Sequence, residues 1–290
     1  MFFEEYRRSL KMTEAEEFLD LLFYRPAAFL FVKGVVWSPI TPNQITLLSL
    51  VAGCIAAYQF SFGVASAIFI AGIWYGIANI LDCADGQLAR IKKNGTPLGR
   101  IIDGIADYIS SVAIFLGIGF GLSAIGNPQW WLVIAGGLST AFQAIKFDEA
   151  QGKFISTVRG EEDFTSREIE KYTIQVQELR SAGSNGLRLL TLSIYLKYLL
   201  FQQQFRPSES INIDREKFRK SNSIMIRLWT FLGPTTNRSL LIICALFGNV
   251  TIFLWTVVIA GNSWLILCSI LQKRIDKNQQ SNTQHLTPKT

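Results

Sequence analysis

Apolar residues are collected into long uncharged blocks along this chain and do not alternate with polar residues at short period. Uncharged runs occupy 44–63, 64–81, 108–145 and 239–272. A helix that crosses a bilayer needs about 20 apolar residues, so each run can hold one or two crossings. The pattern predicts an all-α fold: a polytopic membrane helix bundle with about six transmembrane helices.

The fifth crossing is the least clearly marked in this pattern. We expect it within 224–247, where the Gly233-Pro234 pair either precedes the helix or kinks it, and we expect the sixth crossing within 250–272.

The distribution of basic residues predicts the orientation. The turns near 61–65, near 125–129 and within 247–262 contain no Lys or Arg, whereas the intervening loops and the C-terminal tail are basic. Short loops rich in Lys and Arg stay in the cytoplasm. We therefore expect both termini and the loop between the second and third crossings to face the cytoplasm of a bacterial plasma membrane or an endoplasmic-reticulum-like membrane.

Composition divides the chain into three parts. An N-terminal and juxtamembrane segment (1–41) precedes the transmembrane domain (42–272), and a polar tail (273–290) follows it. Thr13 followed by Glu16 matches a capping box and predicts an amphipathic helix, which either lies on the membrane surface or packs as a short soluble helix.

The transmembrane domain contains a cytoplasmic insertion at about 148–222. Its first part is polar and predicts a helix that ends at 183–186. Its second part, 187–205, is apolar but is interrupted by Arg188 and Lys197, and so we expect it to lie on the membrane without crossing it.

The charge and the reactive side chains narrow the function further. The net charge is +6, and no basic cluster interleaves with aromatic residues as in nucleic-acid sites, so the basic loops fit anionic membrane lipid. The four cysteines have no metal or disulfide spacing, and the single histidine, His285, lies in the polar tail. Acid–base chemistry must therefore use carboxylates or metal-bound water.

Four aspartates stand at the edge of the apolar runs. Asp82 and Asp85 are three residues apart, Asp103 and Asp107 are four apart, and the turn residues between the pairs allow two antiparallel helices. All four carboxylates can then point into one cavity. Because buried charges are costly, two divalent cations would neutralise them, and all-oxygen ligation suits Mg²⁺ or Mn²⁺.

The spacing alone leaves three interpretations open. The aspartates can form a metal site for diphosphate chemistry, a proton or cation path in a transporter, or a set of solvated acids at the membrane edge.

Written with its spacing, the stretch 82–107 is D-x2-D-G-x2-A-R-x8-G-x3-D-x3-D. This resembles the signature of the CDP-alcohol phosphotransferase family. Eight fixed positions match: Asp82, Asp85, Gly86, Ala89, Arg90, Gly99, Asp103 and Asp107. The resemblance extends to "TPNQIT" at the start of the first crossing, which contains Pro42, Asn43 and Thr46. It covers 25–272 and is sharp from 42 to 107.

The resemblance implies a membrane enzyme of phospholipid synthesis, usually a homodimer, whose site opens to the cytoplasm. It implies transfer of a phosphatidyl group from CDP-diacylglycerol to an alcohol with release of CMP. The alternatives are transfer from CDP-choline or CDP-ethanolamine to diacylglycerol, and a non-catalytic, transporter-like relative.

The resemblance also implies roles for individual residues. Asp82, Asp85 and Asp103 would bind two Mg²⁺ or Mn²⁺ ions with Asp107 near the second, and Asp107 would be the general base. The residues expected around the CDP moiety and its phosphates are Pro42, Asn43, Thr46, Asp82, Gly86, Ala89, Arg90 and Gly99.

Three basic residues outside the motif are candidates for binding an acceptor phosphate: Lys146, Arg227 and Arg238. The alternative is the ordinary enrichment of basic residues at the cytoplasmic ends of transmembrane helices.

Overall fold

The structure is a computed structural model that describes residues 6, 12–159, 164–181 and 215–284, together with isolated positions between 186 and 200. Every regular element in these parts of the chain is helical, which confirms the all-α prediction. A π-helical turn, Asp20–Tyr24, leads into α1. The helices are α1 (Arg25–Val35), α2 (Pro42–Phe60), α3 (Ala65–Lys92), α4 (Pro97–Ala124), α5 (Trp130–Arg159), α6 (Phe164–Ser181), α7 (Arg215–Trp229), α8 (Pro234–Leu246), α9 (Val250–Trp255) and α10 (Asn262–Gln284). A 3₁₀ turn, Thr230–Leu232, precedes α8, and a π-helical segment, Thr256–Gly261, joins α9 to α10.

Four helices in the described part of the chain are long and apolar enough to cross a membrane. They are Pro42–Phe60, Ala65–Lys92, Leu98–Ala124 and Val250–Lys277. They correspond to the first, second, third and sixth predicted crossings, and they support a membrane protein.

The other two predicted crossings fall in α5 and α8. α5 is long but becomes charged towards its C-terminal half, and α8 begins at Pro234 and has 13 residues. At 1.5 Å per residue, α8 extends about 20 Å, less than the hydrocarbon core of a bilayer. The Gly233-Pro234 pair therefore precedes this helix, and the count of six crossings stays a prediction.

Glycines on α4 allow α2 and α4 to pack closely. A Cβ atom built on Gly117 would overlap the carbonyl oxygen of Ala57, and one built on Gly121 would overlap that of Phe60. Small residues at such crossings let helix backbones approach each other in membranes. The close crossing holds α2 alongside α4 in the bundle.

The ends of α2, α3 and α4 follow local sequence signals. Thr41 caps α2 through a capping box with Gln44, and Pro42 occupies the first turn. α3 ends at Lys93, whose backbone is left-handed (φ 53°). Thr96 then caps α4 by accepting a hydrogen bond from the Gly99 amide (3.0 Å). This short connection places the C-terminal end of α3 beside the N-terminal end of α4.

The prediction of a capping box at Thr13 is wrong. Residues 13–15 form a turn, and helical structure begins at Phe18. The Glu16 carboxylate lies 2.9 Å from the Arg25 guanidinium, and both side chains are buried. A buried ion pair therefore takes the carboxylate that would have closed the capping box.

The helical stretch that starts at Phe18 is amphipathic, as predicted. Phe18, Leu22 and Phe23 are exposed, whereas the acidic Asp20 of the same stretch is buried. The exposed apolar stripe favours a position on the membrane surface over a packed soluble helix.

The insertion begins as a continuation of α5, which runs without a break to Arg159 and is followed by α6. Of the apolar stretch 187–205, Leu192, Tyr195 and Leu199 are buried in a cluster with Tyr172 of α6. The predicted helix end at 183–186 lies outside the described residues apart from position 186, as does His285, and the membrane-surface position of 187–205 stays a prediction.

Candidate active site

Three of the four aspartates converge where α3 ends and α4 begins. Carboxylate oxygens of Asp82, Asp85 and Asp103 all lie within 4.8 Å of one another. Asp85 is buried, and the other two are half-buried. The convergence of carboxylates expected from the spacing is present for these three residues.

Asp107 joins the group through a basic residue on α8. The Arg238 guanidinium donates to Asp107 (Nη2 to Oδ1, 2.7 Å) and to Asp82 (Nη1 to Oδ2, 2.9 Å). It also donates to the Asn79 side-chain oxygen (3.1 Å), one turn before Asp82. Arg238 thus links Asp107 on α4 to Asp82 on α3.

The first turns of α2 also contribute to the site. The Thr46 hydroxyl donates to Asp85 Oδ2 at 2.5 Å, and Thr46 is itself buried. The Asn43 side-chain oxygen lies against Gly99, where an added Cβ atom would come within 2.9 Å of it. The predicted nucleotide-side residues of α2 are therefore next to the aspartates.

The small residues of the motif lie beside Arg90. A Cβ atom on Gly86 would sit 3.4 Å from the Arg90 guanidinium, so the absence of a side chain at Gly86 leaves room for that group. Ala89 faces the turn at Gly95, where an added Cβ would lie 3.8 Å from its methyl group.

The three candidates for an acceptor-phosphate site differ in their contacts. Arg238 contacts the aspartates directly. Lys146 pairs with Glu149 on its own helix (2.8 Å), and Arg227 is exposed on α7. Within the described contacts, only Arg238 of the three touches the aspartate cluster.

Sequence reasoning missed Asn79, which is 1% exposed and contacts Arg238. Its position three residues before Asp82, on the same helical face, was the signal that could have identified it.

Sequence reasoning also missed the acids of the N-terminal segment behind the site. The Cys83 thiol donates to Asp20 (3.6 Å), and burial raises the pKa of Asp20. Burial also raises the pKa of Glu17, to about 7. No local pattern indicates these contacts, because they join residues more than 60 positions apart.

The donor set fits hard divalent cations. Three carboxylates meet within a few ångströms in a half-buried setting, and one guanidinium cannot balance the four negative charges of the motif. Carboxylate oxygens without histidine or cysteine are the ligands that Mg²⁺ and Mn²⁺ prefer.

Comparison with known families matches residues 39–155 to the model described as CDP-alcohol phosphatidyltransferase. The matched segment contains all four aspartates and the N-terminal end of α2. It leaves out residues 1–38 and α8.

The curated proteins that are similar to this chain have names that indicate different substrates. The chain is 31% identical to the bifunctional IPC transferase and DIPP synthase of Thermococcus kodakarensis, over 35% of this chain and 22% of the relative. It is 33% identical to the archaetidylinositol phosphate synthase of Pyrococcus horikoshii, over 31% of this chain and 45% of the relative. It is 31% identical to cholinephosphotransferase 1 of Gallus gallus, over 31% of this chain and 30% of the relative. The chain thus spans less than half the length of each of these relatives.

Proposed function

Residues 39–155 are a domain of the CDP-alcohol phosphatidyltransferase family, and from this premise we propose that the protein transfers a substituted phosphate group from a CDP-activated donor to an alcohol. The observation that carries the proposal is the convergence of Asp82, Asp85 and Asp103 in the matched segment, with Asp107 held beside them by Arg238. The other product is CMP.

The reaction is a displacement at the β-phosphorus of the donor. The acceptor oxygen forms a bond to that phosphorus, the bond to the bridging diphosphate oxygen breaks, and CMP leaves with that oxygen. The hydroxyl proton passes to Asp107 as general base. Asp107 suits this role because its side chain is 44% exposed, whereas that of Asp82 is 24% exposed. Arg238 binds one Asp107 oxygen and leaves the other available to the acceptor.

Asp82, Asp85 and Asp103 would hold two Mg²⁺ or Mn²⁺ ions, with Asp107 near the second. When bound, the metals would neutralise the diphosphate and the charge that develops on the leaving group. The Thr46 hydroxyl orients Asp85 in this arrangement.

The CDP moiety would lie between the start of α2 and the end of α3. Asn43 and Thr46 reach the site from α2 beside Pro42, and Gly99 leaves space next to Asn43. Gly86 and Ala89 would let the nucleotide approach α3, and Arg90 would bind phosphate oxygens.

We propose CDP-diacylglycerol as the donor, an alcohol as the acceptor and a phospholipid as the product. The similarity to an archaetidylinositol phosphate synthase supports an acceptor that bears phosphate, which Arg238 would bind, with Lys146 and Arg227 as further candidates. We place the site on the cytoplasmic face of the membrane, in a homodimer.

A second donor class is supported by one relative. Similarity to a cholinephosphotransferase favours CDP-choline or CDP-ethanolamine as donor, with diacylglycerol as acceptor.

The test is CMP release by the purified full chain in Mg²⁺ or Mn²⁺. CDP-diacylglycerol is offered with inositol, inositol phosphate, glycerol phosphate and serine in turn, and CDP-choline and CDP-ethanolamine are offered with diacylglycerol. CMP release with one pair identifies donor and acceptor together. Absence of CMP in both series would overturn the enzymatic proposal and favour the transporter-like alternative.

A further inference from the structure

An acidic side chain from the N-terminal segment is buried at the start of α8. Glu17 is 4% exposed. Its Oε1 accepts a hydrogen bond from the Thr235 amide (3.1 Å), and its Oε2 accepts from the Thr236 amide (2.7 Å) and hydroxyl (2.8 Å). Both ends of this contact lie outside the segment matched to the family.

Glu17 supplies what the local sequence of α8 lacks. The first amides of a helix have no partner within the helix, and a side-chain oxygen usually caps them. Here the N-cap residue is Gly233, which has no side chain to do so. A Cβ atom at this position would overlap the Glu17 carboxylate, so glycine also leaves the space that the carboxylate occupies.

A second residue of the same segment holds the next turn of α8. The Ser239 and Tyr24 hydroxyls are hydrogen-bonded at 3.0 Å. The N-terminal segment therefore contacts α8 on both sides of Arg238 along the chain, at Thr235 and Thr236 and again at Ser239.

The opposite side of this turn is held from within the bundle. The Asn237 side-chain amide donates to the Gln143 side-chain oxygen (3.3 Å), and the fully buried Gln143 donates in turn to the Val257 carbonyl of the π-helical segment (3.0 Å). The first turn of α8 is thus fixed between the N-terminal segment and the helices of the bundle.

We infer that Glu17 is a positioning residue for the active site: it fixes the first turn of α8 so that Arg238 bridges Asp82 and Asp107. This inference rests on the proposed function for its catalytic consequence. Glu17 does not touch the aspartates or the acceptor. It acts through the backbone of Thr235 and Thr236, two and three residues before Arg238.

Glu17→Gln removes this support with little change in volume. A glutamine has one acceptor oxygen, and its amide group would face a backbone N–H that needs an acceptor. A displacement near 1 Å at a catalytic group can cost about 100-fold in rate. We expect the variant to lose roughly 10- to 100-fold in the rate of CMP release.

A double-mutant cycle separates positioning from general damage. Rates are measured for the wild type, Glu17→Gln, Arg238→Gln and the double variant. If Glu17 acts through Arg238, adding Glu17→Gln to Arg238→Gln should cost less than twofold. A multiplicative loss in the double variant would overturn the inference.

The matched control is Glu14→Gln, on the same segment. Glu14 pairs with exposed Arg219 of α7 and has no role in the site. Its rate should stay within about twofold of the wild type, in line with the small energies of exposed ion pairs. If Glu17→Gln fails to fold, Thr236→Val takes its place, because it removes the hydrogen bond from the Thr236 hydroxyl to Glu17. We expect a smaller loss in the rate of CMP release, with the same dependence on Arg238.

Amide hydrogen exchange tests the contact without relying on activity. Exchange at residues 235 and 236 should quicken in Glu17→Gln and stay unchanged in Glu14→Gln. Unchanged exchange in Glu17→Gln would overturn the inference whatever the rates are. A wild type that releases no CMP would instead refute the proposed function, and the exchange result would still decide whether Glu17 holds α8.

Discussion

At the residue scale, the four aspartates differ in their partners. Thr46 donates to buried Asp85, and Arg238 donates to Asp82 and to the more exposed Asp107. Four chemically identical side chains thus stand in different surroundings. The surroundings suit Asp85 to a fixed ligand and Asp107 to contact with a mobile acceptor.

Asp107→Asn tests the role of the general base. We expect CMP release to fall about 100-fold or more, because an amide cannot take up the hydroxyl proton. The measurement is the initial rate with the acceptor identified for the wild type. Asp276→Asn is the control, since Asp276 of α10 pairs with Lys153 of α5 and should leave the rate unchanged. An unchanged rate in Asp107→Asn would end the base assignment.

The ionisation of Glu17 predicts how stability depends on pH. Burial raises the pKa of this carboxyl from 4.5 to about 7. Between these values the folded protein keeps a proton that the unfolded chain has lost. The stabilising contribution of the protonated carboxyl is therefore complete below pH 4.5 and is lost as the pH rises through 7. The difference between the two pKa values corresponds to a change of about 3 kcal/mol in the free energy of unfolding.

This pH dependence can be checked by thermal unfolding in detergent at pH 5 and pH 8. The wild type should lose more stability across this interval than Glu17→Gln, whose side chain does not titrate. Asp20, whose pKa burial also raises, leaves a residual slope in both proteins. Equal slopes would contradict the assignment.

At the scale of elements, the site depends on how closely three helices pack. α3 and α4 are joined by a short turn in which Lys93 is left-handed and Thr96 caps the next helix. α2 lies against α4 where Gly117 and Gly121 let the two backbones approach each other. The first turns of α2 bring Thr46 to Asp85.

Substitution of Gly117 should separate α2 from α4. In Gly117→Ala the added methyl group would overlap the Ala57 carbonyl oxygen, and we expect a loss of about 1–3 kcal/mol from overpacking. Gly104→Ala on the same helix is the control, because nothing lies within 4 Å of the added atom. Thermal unfolding should show a lower midpoint for Gly117→Ala alone. Equal midpoints would contradict the close crossing.

At the scale of the whole molecule, the site is enclosed by parts of the chain that are far from the motif. The N-terminal segment packs behind α3 and caps α8, and α8 brings Arg238 to the aspartates. The insertion also reaches the site region, since Arg100 at the start of α4 donates to the Tyr195 hydroxyl (3.0 Å).

Metal dependence is a property of the assembled site. We expect EDTA to abolish CMP release and excess Mg²⁺ or Mn²⁺ to restore it, because the clustered carboxylates need cations to hold a diphosphate. Titration of the chelated protein with each metal identifies the better one. Full turnover in chelator would contradict the two-metal proposal.

The sequence by itself determined the helical class, the membrane-spanning runs and the aspartate group. Apolar block length and the spacing of Asp82 and Asp85 within one helix depend only on helix geometry, which acts over a few residues. The predicted start of the N-terminal helix was wrong because Glu16 forms a buried ion pair with Arg25 and does not complete a capping box with Thr13.

Only the tertiary structure decided which distant residues complete the site. It distinguished Arg238 from Lys146 and Arg227, three basic residues that look alike in the sequence. It also brought Glu17 to Thr236, 219 positions away. The physical reason is that a hydrogen bond or an ion pair depends on distances of about 3 Å. Helix packing sets such distances, and no local pattern records them.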